Sequence, residues 1–453
     1  MQTFDLIVIG AGSGLNISSA AAEKGLKVAV VEKGPMGGTC LNRGCIPSKI
    51  IIHSADVAET IRKSVLFGIN SKISSIDFRK ITSRASNIVD KDAREIEEGL
   101  REDKNTTLFK VEAKFVAERT LQAGKETIKG DKVIIAAGTR PSIPNIEGLH
   151  DADFITSDQA LRLKKQPKAM TILGGGYIAA ELAHFYGALG TKINIIQRGN
   201  LLVPNEDEEI AKKFTEIFKK KYNVLTGFNA AKVIKKGKKF VVTARNSKSA
   251  KKLFSDVLLV AAGRAPNTDI LGVKRGNIET DEKGFVKTNE YLETTAKNTW
   301  AFGDIAGKFL FKHSANLEAQ YVYYNAVLGK RIAVDYAAMP HAIFSSPQIA
   351  GVGLREQDLK AKKMDYAIGR YGYINSGMGI ALQDNDGFVK VFADKKTRKI
   401  LGCHILGTDA STLIHEVIVA MKNNLTVDAI SNAVHVHPAL SEVVQRAVNN
   451  IEW

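Results

Sequence analysis

The chain has only three cysteines, two tryptophans and ten prolines among 453 residues. So few thiols exclude the dense cross-linking of a small secreted scaffold. No apolar run of about 18 residues occurs, so no membrane-spanning helix is expected. The N-terminus enters the strand-like run Leu6-Ile-Val-Ile9 without the basic region and apolar core of a secretory signal. These absences together lead us to expect a cytosolic protein. Acids are also scarce: 48 Asp and Glu face 64 Lys and Arg, for a net charge of +16. At 44% hydrophobic and 25% charged the composition is still globular. The length calls for two or three domains.

The positive excess is local. Lys212 to Lys252 holds thirteen lysines and Arg245 against one acid, Glu216. A pI near 9.5 makes nucleic acid or an anionic membrane the first partners to consider. The basic stretch shows neither a helix-turn-helix pattern nor zinc-ligand spacing, and it lies between the glycine runs at Gly174 and Gly263. A solvated face is expected, with no nucleic acid and no membrane as partner.

One plan is used twice. Leu6–Ile9 reads as a buried strand ending in Gly10-Ala-Gly12-Ser-Gly14, then an Ala-rich helix over Ser18–Lys24 and a strand over Lys27–Val31 ending at Glu32. This order suits a dinucleotide: the glycines admit the pyrophosphate to the backbone, and the acid accepts ribose hydroxyls. The series returns as Thr171–Leu173, Gly174-Gly175-Gly176, the helix Tyr177–Tyr186 and the strand Lys192–Ile196. Related segments close the two units, Ala136-Ala-Gly138-Thr-Arg140-Pro141 and Ala261-Ala-Gly263-Arg264-Ala-Pro266. Two different dinucleotides are therefore expected. Beyond Tyr336 the texture changes to alternating runs, Gly387–Ala393 and Lys399–Leu406, with helices at Leu413–Lys422 and Ser441–Val448. That pattern predicts an α+β third domain.

Gly37-Gly-Thr-Cys40-Leu-Asn-Arg-Gly-Cys45-Ile-Pro-Ser-Lys49 is the most specific segment of the chain. Two thiols at this spacing can pair if the turn brings their Cα atoms within range. A helix expected over Ile50–Arg62 would present its positive end and favour a thiolate. An inert bridge or a two-ligand metal half-site is the competing reading; no second ligand pair accompanies it, and no metal is expected.

With Ala301-Phe-Gly-Asp304 and Val434-His-Val-His437-Pro438-Ala-Leu-Ser-Glu442, this segment resembles the class I pyridine nucleotide–disulfide oxidoreductases. That family includes dihydrolipoamide dehydrogenase and the glutathione, mycothione and mercuric reductases. The resemblance spans essentially the whole chain. It implies an α/β fold with two Rossmann-like domains, one for FAD (1–148 and 268–335) and one for NAD(P) (149–267), plus a C-terminal α+β dimerisation domain (336–453). It also implies a homodimer. By the same resemblance Cys45 faces the flavin and forms the charge-transfer thiolate, while Cys40 exchanges with substrate. Lys49, paired with Glu181, lies near the flavin N5; Asp304 holds the ribityl chain and Glu32 the adenosine ribose. Further cofactor contacts are expected at Gly10, Gly12, Gly14, Lys33, Gly38, Thr39, Ala113, Gly138, Gly174, Gly176, Tyr177, Ile178 and Gly263. His437, oriented by Glu442, is the expected general base, acting on the disulfide of the other subunit. His435, His404 and Cys403 are read as structural.

Departures from the family pattern refine the expectation. Leu15 stands where the first motif wants a third glycine, which questions the close helix–strand packing there. In the second motif Ala179 takes that place, and the following strand ends in Gln197 and Arg198 rather than in a carboxylate. An NAD site wants that carboxylate, so Arg198 favours NADP. The C-terminus, Val448-Asn-Asn-Ile-Glu-Trp453, lacks the cysteine pair of mercuric reductase. The His-Pro-Ala-Leu-Ser-Glu segment favours dihydrolipoamide dehydrogenase, with a lipoyl carrier or small dithiol as substrate. Lys312-His-Ser-Ala-Asn316 is nearer mycothione-type reductases, so NADPH-dependent reduction of a small disulfide is the alternative. A redox-inactive scaffold docking an acidic partner is the third reading.

Overall fold

In the computed structural model, which describes residues 1–453, three larger sheets are joined by a three-stranded and a two-stranded one. The first has seven strands. Gln2–Ile9 lies between Val28–Val31 and Glu126–Ile135, parallel to both, with Ile7 opposite Ala29 on one side and Val133 on the other. Its apolar residues are continuous because both faces are covered. Leu6 and Val8 pack with Ile17, Ala21 and Ala22 of the helix Gly14–Glu23, whereas Ile7 and Ile9 face Phe115 and Leu121 of an antiparallel meander. Thr299–Ala301 adds a parallel strand beside Glu126–Ile135, so the chain returns to this sheet after the second unit.

The second sheet has four parallel strands, Asn223–Thr226, Lys192–Gln197, Ala169–Leu173 and Val257–Val260, in that spatial order. Ile172, Ile195 and Leu259 pack on Phe185, Phe214 and Phe218 of the helices Tyr177–Ala188 and Glu208–Lys221. The same cluster takes in Ile51, Ile52 and Ala55 from the helix Cys45–Lys63. The cysteine-bearing helix is thereby held against the second unit. The segments that close the two units pair with each other: Thr139–Pro141 runs antiparallel to Arg264–Pro266, Arg140 opposite Ala265.

The basic stretch occupies the helix Glu208–Lys221 and a three-stranded antiparallel sheet, Asn229–Lys236, Lys239–Arg245 and Ala250–Ser255. Val233, Phe240, Val242 and Leu253 point into the unit's core. Six of the thirteen lysines form ion pairs: Lys212 with Glu208, Lys213 with Asp386, Lys221 with Glu59, Lys232 with Glu147, Lys235 with Asp153 and Lys239 with Asp256. All six acids lie outside Lys212–Lys252 or at its far edge, so the local excess is partly neutralised by the fold.

The third sheet is antiparallel, with Pro340–Ile343, Gln348–Gly353, Ile400–Gly407, Phe388–Asp394 and Tyr366–Gly372 as successive neighbours. Val417, Val443 and Ala447 of two helices, Ala410–Lys422 and Glu442–Asn449, cover it. No helix of the chain is long and apolar enough to cross a membrane.

Candidate active site

The two glycine turns share one geometry. Gly10 has φ +105°, and a Cβ there would stand 2.3 Å from the Ala136 carbonyl oxygen; Gly174 has φ +113° and its Cβ would be 2.2 Å from that of Ala261. In each unit the neighbouring strand crosses directly over the turn, which only glycine permits. Close packing in the first unit comes from Gly14 rather than from the position of Leu15. A Cβ on Gly14 would lie 2.8 Å from Val8 Cγ1, and the helix begins at Gly14 itself. The helix start, four residues earlier than the expected Ser18, thus removes the difficulty raised by Leu15.

Gly38 opens a short helix, Gly38–Arg43, that carries Thr39 and Cys40. A Cβ on Gly38 would fall 2.7 Å from Gly12 Cα, so the glycine turn and the cysteine segment touch backbone to backbone. The next helix starts at Cys45, five residues before the expected Ile50. Cys45 is therefore the first residue of a nineteen-residue helix and sits in the field of its N-terminus. Both cysteines are half-buried thiols. Cys45 hydrogen-bonds Cys40, which lowers the Cys40 thiol to about 7 against the opposing effect of burial, helped by the charges of Lys312 and Lys49. The same contact, with burial, raises Cys45 well above the ordinary thiol range. When the reduced pair gives up its first proton, this hydrogen bond favours the charge on Cys40 and the remaining proton on Cys45.

One turn along the Cys45 helix, Lys49 Nζ donates to Glu181 Oε1 at 2.8 Å and Oε2 at 2.9 Å. Glu181 Oε1 also accepts the Phe344 N–H at 3.0 Å, and the ammonium lies 4.4 Å from the Phe344 ring centroid. The ion pair spans the two units because the helices Cys45–Lys63 and Tyr177–Ala188 share one apolar cluster.

A cavity of about 580 Å³ runs through this junction. Gly10, Gly12, Glu32, Lys33, Ala113 and Gly138 line it, together with Gly38, Thr39, Cys40, Cys45, Lys49, Tyr177, Ile178, Glu181 and Asp304. Glu32 is oriented by the N–H groups of Ala11 (3.0 Å) and Gly34 (2.7 Å). Asp304 Oδ2 accepts the Thr139 hydroxyl at 2.9 Å, and Thr139 accepts from Arg264 Nε at 2.6 Å. Burial pushes the Asp304 carboxyl up despite these partners. Arg264 and Lys312 also line the wall, a role that the motifs around them do not signal, and Lys312 Nζ donates to Ser13 Oγ at 2.9 Å.

Other expected residues lie apart from this cavity. Gly174, Gly176 and Gly263 sit at the second unit's own turns. Arg198 is exposed just past the strand Lys192–Gln197, where no carboxylate stands. His437 Nδ1 is 3.0 Å from Glu442 Oε1, and Glu442 Oε2 accepts the Ala439 N–H at 3.2 Å. The His437 hydrogen bond and that N–H hold Glu442 below the usual carboxylate range. The His437 side chain is 75% exposed and touches neither cysteine of its own chain.

Residues 4–326 match the pattern of the pyridine nucleotide-disulphide oxidoreductases, and residues 339–448 match that family's dimerisation domain. The chain belongs to the class I pyridine nucleotide–disulfide oxidoreductases. It is 34% identical to mycothione reductase of Mycobacterium tuberculosis over 462 aligned residues, covering 99% of each chain. Dihydrolipoyl dehydrogenase of Bacillus subtilis is 33% identical, over 98% of this chain and 95% of its own. Among solved structures, the Cu(II) complex of the HOCl-induced flavoprotein disulfide reductase RclA from Escherichia coli superposes with TM-score 0.88 at 26% identity, covering 99% of each chain. As an enzyme of this family the chain is an oxidoreductase with a dimerisation domain, and FAD and NAD(P)H are the family's cofactors.

The residues present fit FAD. The Gly10 turn leaves backbone free for a pyrophosphate, Glu32 on the cavity wall is oriented by two N–H groups, and Asp304 offers a partly buried carboxyl whose Oδ1 has no protein partner.

Proposed function

We propose that the enzyme passes two electrons between NAD(P)H and a small disulfide or dithiol through Cys40 and Cys45, with dihydrolipoamide as its dithiol substrate. The observation that carries this reading is the Cys40–Cys45 contact at a helix start, beside the Lys49–Glu181 pair, on the wall of a dinucleotide-sized cavity. Gly10, Gly12, Glu32, Lys49 and Asp304 would hold FAD, which when bound supplies the two-electron relay between nicotinamide and the cysteines.

The roles of the side chains follow from their environments. A thiol with pKa near the ambient pH is the best attacking thiol, which suits Cys40 to exchange with substrate. In the reducing direction the Cys40 thiolate attacks the substrate disulfide, and one substrate thiolate departs and takes a proton from His437. Cys45 then gives its proton by way of His437 to the second substrate sulfur and attacks Cys40 Sγ, so that the second thiol leaves as the Cys40–Cys45 bond closes. Two electrons leave the dithiol and two thiols are produced. With FAD bound, the resemblance implies that the charge rests on Cys45, where the Lys49 ammonium favours it, and that the proton then sits on Cys40 or His437 until substrate arrives.

His437 does not line the cavity that holds its own chain's cysteines, and it is oriented by Glu442 in a segment with fully exposed Val434 and three-quarters exposed Val436. A second copy that covers these apolar side chains would carry the imidazole to its site, which supports a homodimer. A second reading, NADPH-dependent reduction of a small disulfide, is favoured by exposed Arg198 in place of the missing carboxylate.

Steady-state rates with NADH and NADPH against lipoamide, dihydrolipoamide and a panel of small disulfides decide between the two. Arg198→Ala should raise KM for NADPH far more than for NADH; equal effects retire the phosphate-binding role. Anaerobic NAD(P)H should expose the Cys40 and Cys45 thiols to Ellman's reagent. If it reduces the flavin without exposing them, the cysteine mechanism is wrong.

A further inference from the structure

Glu206, His341 and His404 come from three separate segments and meet where the second unit packs on the C-terminal sheet. Glu206 precedes the helix Glu208–Lys221, His341 lies in the strand Pro340–Ile343 and His404 in the strand Ile400–Gly407. One carboxylate oxygen and one nitrogen from each ring all lie within 4.8 Å of one another. Glu206 and His404 are fully buried, and the His341 side chain is 16% exposed.

The cluster is under-satisfied as it stands. His341 Nε2 is 2.7 Å from Glu206 Oε2, but Glu206 Oε1 and His404 Nδ1 have no hydrogen-bond partner. Buried polar atoms without partners cost free energy and are rare. His404 Nε2 lies 3.0 Å from the Leu354 carbonyl, which can only accept, so Nε2 carries the hydrogen and Nδ1 of the neutral ring presents a lone pair. A backbone carbonyl that orients a histidine in this way is the usual outer partner of a metal ligand. Gly351 keeps the space in front of both rings open: a Cβ there would be 2.7 Å from His404 Nδ1 and 2.8 Å from His341 Nε2.

We propose that Glu206, His341 Nε2 and His404 Nδ1 form a binding site for a borderline divalent transition-metal ion, with zinc as the probe. Two imidazoles and one carboxylate suit zinc or copper, with one coordination position left open, whereas calcium and magnesium demand oxygen ligands. The cation takes the place of the hydrogen shared by His341 and Glu206 and gives the unpartnered His404 Nδ1 lone pair a partner. The His341 ring stacks on Tyr177, centroids 6.3 Å apart and planes 14° off parallel, and the Tyr177 hydroxyl lies against Glu206. Tyr177 lines the large cavity, so a bound cation would restrain one side chain of its wall.

The test uses FAD-loaded protein carrying Cys40→Ser and Cys45→Ser, so that the active-site thiols take no metal. The protein is stripped with a chelator and titrated with zinc in competition with a chromophoric chelator, and bound zinc is then counted after gel filtration. One zinc per chain is expected, with X-ray absorption showing nitrogen and oxygen neighbours and no sulfur. His404→Gln should lower zinc affinity by at least ~100-fold, since loss of an outer partner alone costs ~10–100-fold. His341→Asn, at the partly exposed ligand, should do the same and covers the case in which the buried variant fails to fold. No zinc uptake at micromolar concentration, or uptake that neither variant weakens, would overturn the site. The assay reads metal alone, so its outcome is independent of the enzyme's substrate and coenzyme.

Discussion

Glu59 fastens the cysteine-bearing helix to the second unit, and the effect of removing its charge can be worked from the structure. Its Oε1 accepts Lys221 Nζ at 2.7 Å and lies 3.1 Å from Lys63 Nζ, while Lys221 also donates to the Ser346 carbonyl at 2.9 Å. The Glu59 side chain is 17% exposed. Burial raises its carboxyl, but the charge and hydrogen bond of Lys221, the Lys63 charge and the Ser346 hydroxyl more than reverse this, from an ordinary 4.5 to about 2. A shift of that size corresponds to ~3 kcal/mol of folding free energy. Because the folded value is the lower one, the contribution is complete above the unfolded value of 4.5 and is lost as pH falls through about 2. Glu59→Gln should therefore destabilise the protein by ~3 kcal/mol at pH 7, and the gap should close as the parent is acidified. Urea unfolding of both proteins, followed by circular dichroism between neutral pH and the acid limit, measures the gap. A gap below ~0.5 kcal/mol at pH 7, the range of an ordinary surface substitution, would refute the argument. So would a gap that does not change with pH.

Three further outcomes are expected. In the reduced protein, alkylation of Cys40 by iodoacetamide should rise through pH about 7, and Cys45→Ala, which removes the hydrogen bond, should move the inflection upward; an inflection at the ordinary 9.0 in the parent contradicts the coupling. His437→Ala should lower turnover by ~10²–10⁴-fold, the range of general acid–base catalysis, at unchanged FAD content. A fully active variant removes His437 from the proton path. Gly14→Ala places a methyl 2.8 Å from Val8 Cγ1 and should cost ~1–3 kcal/mol of stability, read as a lower melting temperature. An unchanged melting temperature shows that the helix can shift away from the strand.

What could be read from the sequence is what the chain settles locally. A glycine turn between strand and helix, two cysteines five positions apart on consecutive helices, and a His-Pro segment followed by an acid are each decided by neighbours within a few residues. That is why both glycine turns, the cysteine segment and the His437–Glu442 pair could be read from the sequence, while element bounds such as the helix starts at Cys45 and Gly14 were misplaced. Tertiary packing decided everything that joins distant segments. Gly14, not the third position of the motif, meets Val8 because the helix begins one residue before Leu15. The lysines of the basic stretch find Glu59, Glu147, Asp153 and Asp386 only when the sheets assemble, which turns much of an apparent charge patch into ion pairs. Glu206 and His341 are 135 residues apart, and His404, read from its strand as structural, joins them only where the second unit packs on the last sheet. Short-range sterics write such motifs into the order of residues, whereas long-range pairs exist only once burial has chosen which faces meet.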